Sequence, residues 1–93
     1  MFARLGIGDT DMRQQDEYYI GIDVAKTHLD IAVLSSGEHW TVANDDLGIG
    51  EVVNRLKQMQ PVLIVMEETG GLEIPVSTAL VYAKLPIVVI NPR

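Results

Sequence analysis

Residues 18–34, YYIGIDVAKTHLDIAVL, decide the fold. In the run Tyr18 to Val24, Ile20, Ile22 and Val24 fall on one face and Tyr19, Gly21 and Asp23 on the other. β-Branched and aromatic residues alternating in this way predict a strand. Ala25, Lys26 and Thr27 are too few for a helix, so HLDIAVL must return as a second strand of a hairpin, hydrophobic on both faces except at Asp30. Ser35, Ser36 and Gly37 give the next turn. His39 to Ala43 then form a shorter antiparallel strand with Trp40 and Val42 on one face.

Beyond this meander the period changes. Ile49, Val52, Val53, Leu56 and Met59 recur at helical spacing, with Asn44, Asp45 or Asp46 available as the N-cap. Pro61 marks the end of that helix. Val62 to Met66 is a short continuous apolar run of the kind expected for a central strand buried on both sides, and Glu67 closes it. Gly70 and Gly71 break the chain, and Pro75 suits the first turn of a second helix carrying Val76, Ala79, Leu80 and Ala83. Pro86 separates it from a last buried strand, Ile87 to Ile90.

Upstream, residues 1–17 are polar, contain Gly6 and Gly8, and follow neither period, so a flexible leader is expected there and one ordered domain over 18–93. With 93 residues, 47% hydrophobic and 22% charged, the chain is long enough for one core and too short for two. The absence of cysteine removes disulfides, thiolate metal sites and cysteine nucleophiles together. With two histidines, any metal site must be built mainly from oxygen, which points to magnesium, manganese or calcium. No signal-peptide core or membrane-length apolar run is present, so a soluble, cytoplasmic protein without a membrane partner is expected. The net charge of −6 argues against a self-sufficient nucleic-acid binder. Bound divalent cations, or basic surface elsewhere in a larger protein, would offset it.

The order β-β-β-α-β-α-β implies a meander followed by two right-handed crossovers. This is the order of a ribonuclease-H-like, mixed α/β sheet, in which the first and fourth strands are neighbours. Asp23 and Glu67 would then lie side by side at one sheet edge. Two carboxylates so placed repel each other unless a divalent cation compensates, so both are candidate metal ligands and catalytic residues. Mg2+ or Mn2+ held by carboxylates suits phosphoryl transfer. Gly21, on the face of Asp23, would leave room for a phosphate backbone. A structural alternative exists for each residue: Asp23 as a turn cap, Glu67 as a solvated strand end beside Glu68. Lys26 and Thr27 read as a wet hairpin tip, and Trp40, Met59 and Met66 as core. His28 and His39 lack ligand-like neighbours, and Asp45, Asp46 and Glu51 suit a helix start.

With YYIGIDVAKTHLDIAVL, AND-DLG before the first helix, IVMEETGG and VVINPR in this order, the chain resembles the N-terminal domain of DEDD-type insertion-sequence transposases of the IS one-ten family. That family includes Piv-like DNA invertases and bridge-RNA-guided recombinases. The resemblance covers roughly residues 18–93 and implies a RuvC-like nuclease domain in which Asp23 and Glu67 take the places of the first Asp and of the Glu in the ExTG motif. It further implies DNA as partner through the full-length protein, and a guide RNA where the relative uses one. Glu68 stands where a small residue is usual and Leu72 where an aromatic is common. The third and fourth acidic residues, expected in a KTDxxDA-like segment after the NP motif, lie beyond Arg93, as does a C-terminal helix that would cover one sheet face.

The parent protein is therefore expected to be a metal-dependent transposase or recombinase, and this chain by itself to cleave little or no DNA. Apolar surface left on Val88 or Ile90 would favour a homo-oligomer. Two rivals remain at this stage. One is an actin-like ATPase or sugar-kinase lobe, which shares the strand-Gly-Ile-Asp-turn-strand opening but wants a phosphate-cradling turn where Val24, Ala25, Lys26 and Thr27 stand. The other is a non-catalytic interaction module of a truncated transposase.

Overall fold

The computed structural model describes residues 17–92; the expected leader falls almost wholly outside them. Five strands and two helices follow in the expected order: β1 (Tyr19–Val24), β2 (His28–Val33), β3 (His39–Ala43), α1 (Asp46–Met59), β4 (Leu63–Glu67), α2 (Ile74–Tyr82) and β5 (Ile87–Ile90). They build one mixed sheet in the order β3-β2-β1-β4-β5. β1 pairs antiparallel with β2 and parallel with β4, while β5 extends the parallel half. This is the α/β architecture of the ribonuclease H class.

Chain direction explains the layering. β3 runs parallel to β1 and β4, so both α1 and α2 are crossovers that move the chain the same way across the sheet. Right-handed crossovers in one direction put their helices on one face. Ile20, Ile22, Val24, Leu29, Ile31, Val33, Ile64 and Met66 supply that face, and Ile49, Val52 and Leu56 of α1 with Val76 and Leu80 of α2 close over it. Leu56 is fully buried, which is worth about 1.5–3 kcal/mol for a side chain of its size.

The opposite face carries no helix among the described residues, and this corrects two expectations. β4 is buried on one side: Ile64 and Met66 are enclosed, whereas Leu63 and Val65 are half-buried. β5 is an edge strand, not a buried one. Val88, Val89 and Ile90 are each 42% exposed. An apolar run announces a covered strand only if something covers it: Val88 and Ile90 lie on the face away from both crossovers, and Val89, in the row of Met66, stands at the sheet's edge.

α1 starts at Asp45, whose carboxylate accepts from the backbone N–H of Gly48 at 2.8 Å, so of the three candidate caps the middle one acts. The helix ends one residue before Pro61, at Gln60 in the left-handed conformation (φ 53°). Gly48 marks the closest approach of α1 to the sheet. A Cβ there would stand 1.8 Å from the carbonyl oxygen of Ala43 in β3. Trp40 is half-buried under the Arg55 guanidinium, 3.7 Å from its ring centroid, and Arg55 also binds Glu38. No helix among the described residues is long and apolar enough to cross a membrane.

Candidate functional site

Asp23 is the penultimate residue of β1 and Glu67 the last of β4. The parallel register runs from Tyr19 opposite Leu63 to Ile22 opposite Met66. One step further aligns Asp23 with Glu67, on strands spaced about 4.8 Å apart. Ile22 and Met66 point into the core, so their successors alternate to the open face, where both carboxylates are exposed. Residues separated by more than forty positions thus become neighbours, as the strand order implied.

The antiparallel side adds a third carboxylate that the sequence reading passed over. Asp30 on β2 is the register partner of Asp23, and Thr41 on β3 that of Asp30. One row across the sheet therefore reads Thr41, Asp30, Asp23, Glu67, Ile90. The backbone bonds from Leu34 to Tyr19 and from Ala25 to His28 make Asp23 and Asp30 a hydrogen-bonded pair, with Cα atoms about 5.5 Å apart. Like charges directly opposite destabilise a sheet. Asp30 is relieved locally: Thr41 donates its hydroxyl to Oδ1 at 2.5 Å, and His28 Nε2 stands 3.6 Å from Oδ2. The folded hairpin closes on Lys26 and Thr27 alone, which sets residue 30 opposite 23; the three-residue link read from sequence shifts that register by one.

The row lies at one end of an open groove of about 770 Å³ on the uncovered face, whose floor is Gly21, Ala32, Leu34 and Val65. A Cβ on Gly21 would find its nearest atom, Leu34 Cδ2, at 3.7 Å, so crowding does not demand glycine there; its absence of side chain only deepens the floor. Glu68 is exposed and does not line the groove, which leaves Glu67 as the carboxylate beside Asp23. Among the described residues, no three His, Asp or Glu side chains converge closely enough to hold a metal ion by themselves.

Two clasps fix the chain just after each carboxylate. Behind Asp23, neither Lys26 nor Thr27 has the positive φ that two-residue hairpin loops favour. Asn44 compensates: its backbone N–H donates to Thr27 O at 3.0 Å and its side-chain amide to Ala25 O at 2.9 Å. Behind Glu67, the loop to α2 turns through Gly70 (φ 69°) and Gly71 (φ 101°), conformations glycine adopts without strain. There Glu73 accepts from Thr69 and Gly71. These bonds hold its carboxyl below the ordinary value of 4.5, with the Thr69 backbone N–H the largest cause. Sequence reasoning missed both Asn44 and Glu73, because each acts on backbone that only the folded chain brings near.

The T. thermophilus RuvC structure in complex with a Holliday junction substrate has a similar fold, with a TM-score of 0.54 at 17% identity over 81% of this chain and 66% of that one. This chain therefore spans a little less than two thirds of that protein, and the likeness establishes the ribonuclease-H-like fold of RuvC. No curated protein matches the chain. The family model of the IS110 DEDD transposases, described as a transposase, matches residues 20–93. That interval begins in β1 and includes both carboxylates, the meander, both crossovers and β5. The chain belongs to the IS110-type DEDD transposase family.

Proposed function

We propose that the chain is the N-terminal part of the catalytic domain of a DNA transposase or site-specific recombinase, in which Asp23 and Glu67 contribute two carboxylates to a divalent-metal site for strand cleavage and transfer. The observation that carries this reading is the meeting of Asp23 and Glu67 at adjacent parallel strand ends on an open face. The donor set fits a hard cation in kind. It is all oxygen, accessible, and adjacent to a third negative charge at Asp30. Asp30 is already engaged by Thr41 and His28, so the ligating pair is Asp23 with Glu67. Magnesium or manganese bound there would stabilise charge developing on a phosphodiester and favour an attacking oxygen at neutral pH.

The chain's own residues do the rest. Asp23 and Glu67 concentrate negative charge that attracts the cation before a phosphate backbone can approach. The groove beside them is floored by small and apolar side chains and leaves a strand of nucleic acid unobstructed. DNA is the proposed substrate class, supported by family membership and by the Holliday junction in the structure of similar fold. A net charge of −6 argues against DNA binding by this chain alone, so bound divalent cations or basic surface elsewhere in the full-length protein would supply the attraction. Among the described residues no third ligand converges on the pair, which supports weak metal binding and little cleavage by this chain alone.

The test is a Mn2+ titration of the 93-residue chain followed by amide NMR. Paramagnetic broadening should centre on residues near Asp23 and Glu67 and vanish in Asp23→Ala. Identical responses from the two proteins would remove Asp23 from the site.

A further inference from the structure

Glu73 is the one buried charged side chain among the described residues, 6% exposed, and the chemistry proposed above makes no use of it. Burying a carboxylate is costly unless its oxygens are hydrogen-bonded. Here a single oxygen, Oε1, accepts from the Thr69 N–H at 2.9 Å, the Thr69 hydroxyl at 3.1 Å and the Gly71 N–H at 3.1 Å. No ion pair involves it among the described residues.

Its position makes that choice of partners informative. Glu73 is the N-cap residue of α2, yet its side chain makes no capping bond to the helix. Only its backbone carbonyl does so, accepting from Ser77 N–H at 2.9 Å. A cap serves the helix that follows; this carboxylate reaches backward into the loop that precedes. That loop begins immediately after Glu67, and Thr69 lines the same groove as Asp23 and Glu67. The loop's start is anchored by Glu68 N–H, which donates to Ile90 O of β5 at 2.8 Å, and its end by Ile74 N–H, which donates to Gly71 O at 3.1 Å. Between the two anchors lie Gly70 and Gly71, the residues with the most backbone freedom to lose. Without Glu73, Thr69 and Gly71 would lose three bonds, and only the turn bonds from Leu72 N–H to Thr69 O and from Ile74 N–H to Gly71 O would order the glycines beside the strand end that bears a proposed ligand.

We infer that Glu73 is a positioning residue, a buried latch that holds the loop after Glu67 so that this carboxylate stays presented on the open face beside Asp23. The inference rests on the metal-site reading above. It accounts for a buried charge where a helix cap would be served by Ser, Thr, Asp or Asn, and for a loop drawn toward α2 rather than left in solvent. A ligand displaced by about 1 Å is enough to cost a metal or catalytic site much of its function.

The experiment uses the 93-residue chain with Glu73→Ala, Glu73→Asp and Glu73→Gln. Ala removes the acceptor, Asp keeps the charge but falls short of the loop by one methylene, and Gln keeps an oxygen of the same reach. Amide exchange is read at Thr69 and Gly71, and Mn2+ broadening at Glu67 and Asp23. In Ala and Asp, exchange at Thr69 and Gly71 should quicken by about tenfold relative to β1 and β2 amides. The Mn2+ concentration that half-broadens the amides around Asp23 and Glu67 should rise severalfold. Gln should keep both close to those of the unmodified chain. Unchanged exchange at Thr69 and Gly71 overturns the latch, and so does a loosened loop with an unchanged Mn2+ titration midpoint. Should Ala not fold, Asp and Gln carry the same comparison. Absence of Mn2+ broadening at both carboxylates in the unmodified chain refutes the metal site and with it the ligand-positioning role, while exchange still decides whether Glu73 holds the loop.

Discussion

Two glycines in α1, two residues apart, should respond to the same substitution with opposite signs. Replacing glycine by alanine inside a helix normally stabilises by roughly 0.5–1 kcal/mol, since alanine has less freedom to lose on folding. At Gly50 a Cβ would meet nothing within 4 Å, so Gly50→Ala should show that gain undiminished. At Gly48 the same Cβ would lie 1.8 Å from Ala43 O, 2.8 Å from its carbonyl carbon and 3.0 Å from its nitrogen. These are backbone atoms of β3, which cannot rotate aside as a side chain would. α1 must move off the sheet by more than 1 Å, a shift estimated from ordinary contact distances, and Ile49, Val52 and Leu56 would lose part of their close packing. Overpacking of this severity costs about 1–3 kcal/mol, occasionally more, and exceeds the propensity gain. Gly48→Ala should therefore destabilise by about 2 kcal/mol and Gly50→Ala stabilise by about 0.5–1 kcal/mol. Urea unfolding followed by far-UV circular dichroism measures both, the slope of the transition remaining constant. Stabilisation by both substitutions would refute the close approach of α1 to β3. The contact also bears on the site, since Asn44, which clasps the turn behind Asp23, joins β3 to α1.

Removing that clasp directly, Asn44→Ala should cost about 1 kcal/mol for the lost bond to Ala25 O and quicken amide exchange at the tip of the first hairpin; an unaltered tip would show that the backbone bond to Thr27 suffices. Stability should also depend on pH through Glu73. Its folded carboxyl titrates below 4.5 while the unfolded one titrates at its ordinary value, so the unfolded chain takes up the proton first as pH falls. The contribution is present in full above that ordinary value and is lost as pH drops through the lowered folded one. Urea midpoints between pH 7 and pH 3 should therefore converge for the unmodified chain and Glu73→Gln toward acid, and parallel curves would contradict the assignment.

Asp23 shows how far a sequence reaches. Alternation in YYIGIDV placed it on a face of its own, opposite Ile20, Ile22 and Val24, because side-chain direction in a strand has a period of two and needs no partner to be read. The change to helical spacing at Ile49 and the breaks at Pro61, Gly70, Gly71 and Pro86 gave the element order for the same local reason. From that order, handedness brought β1 beside β4 and so Asp23 beside Glu67. Register was another matter: the link read from sequence, Ala25 to Thr27, would set Asp23 opposite Leu29, and only the folded Ala25–His28 pair sets Asp30 there.

Other properties belong to tertiary structure alone. Val62 to Met66 and Ile87 to Ile90 are apolar enough for buried strands, yet burial depends on which face the crossovers cover, and both cover the same one. Gly48 looks like any glycine at a helix start until β3 packs 1.8 Å from where its Cβ would be. Glu73 and Asn44 have no periodic signature at all, because hydrogen bonds from side chain to distant or backward backbone are set by where the folded chain brings its loops. Sequence determined which carboxylates could meet; tertiary packing decided how firmly the chain behind each one is held, since periodicity encodes direction while only contact encodes position.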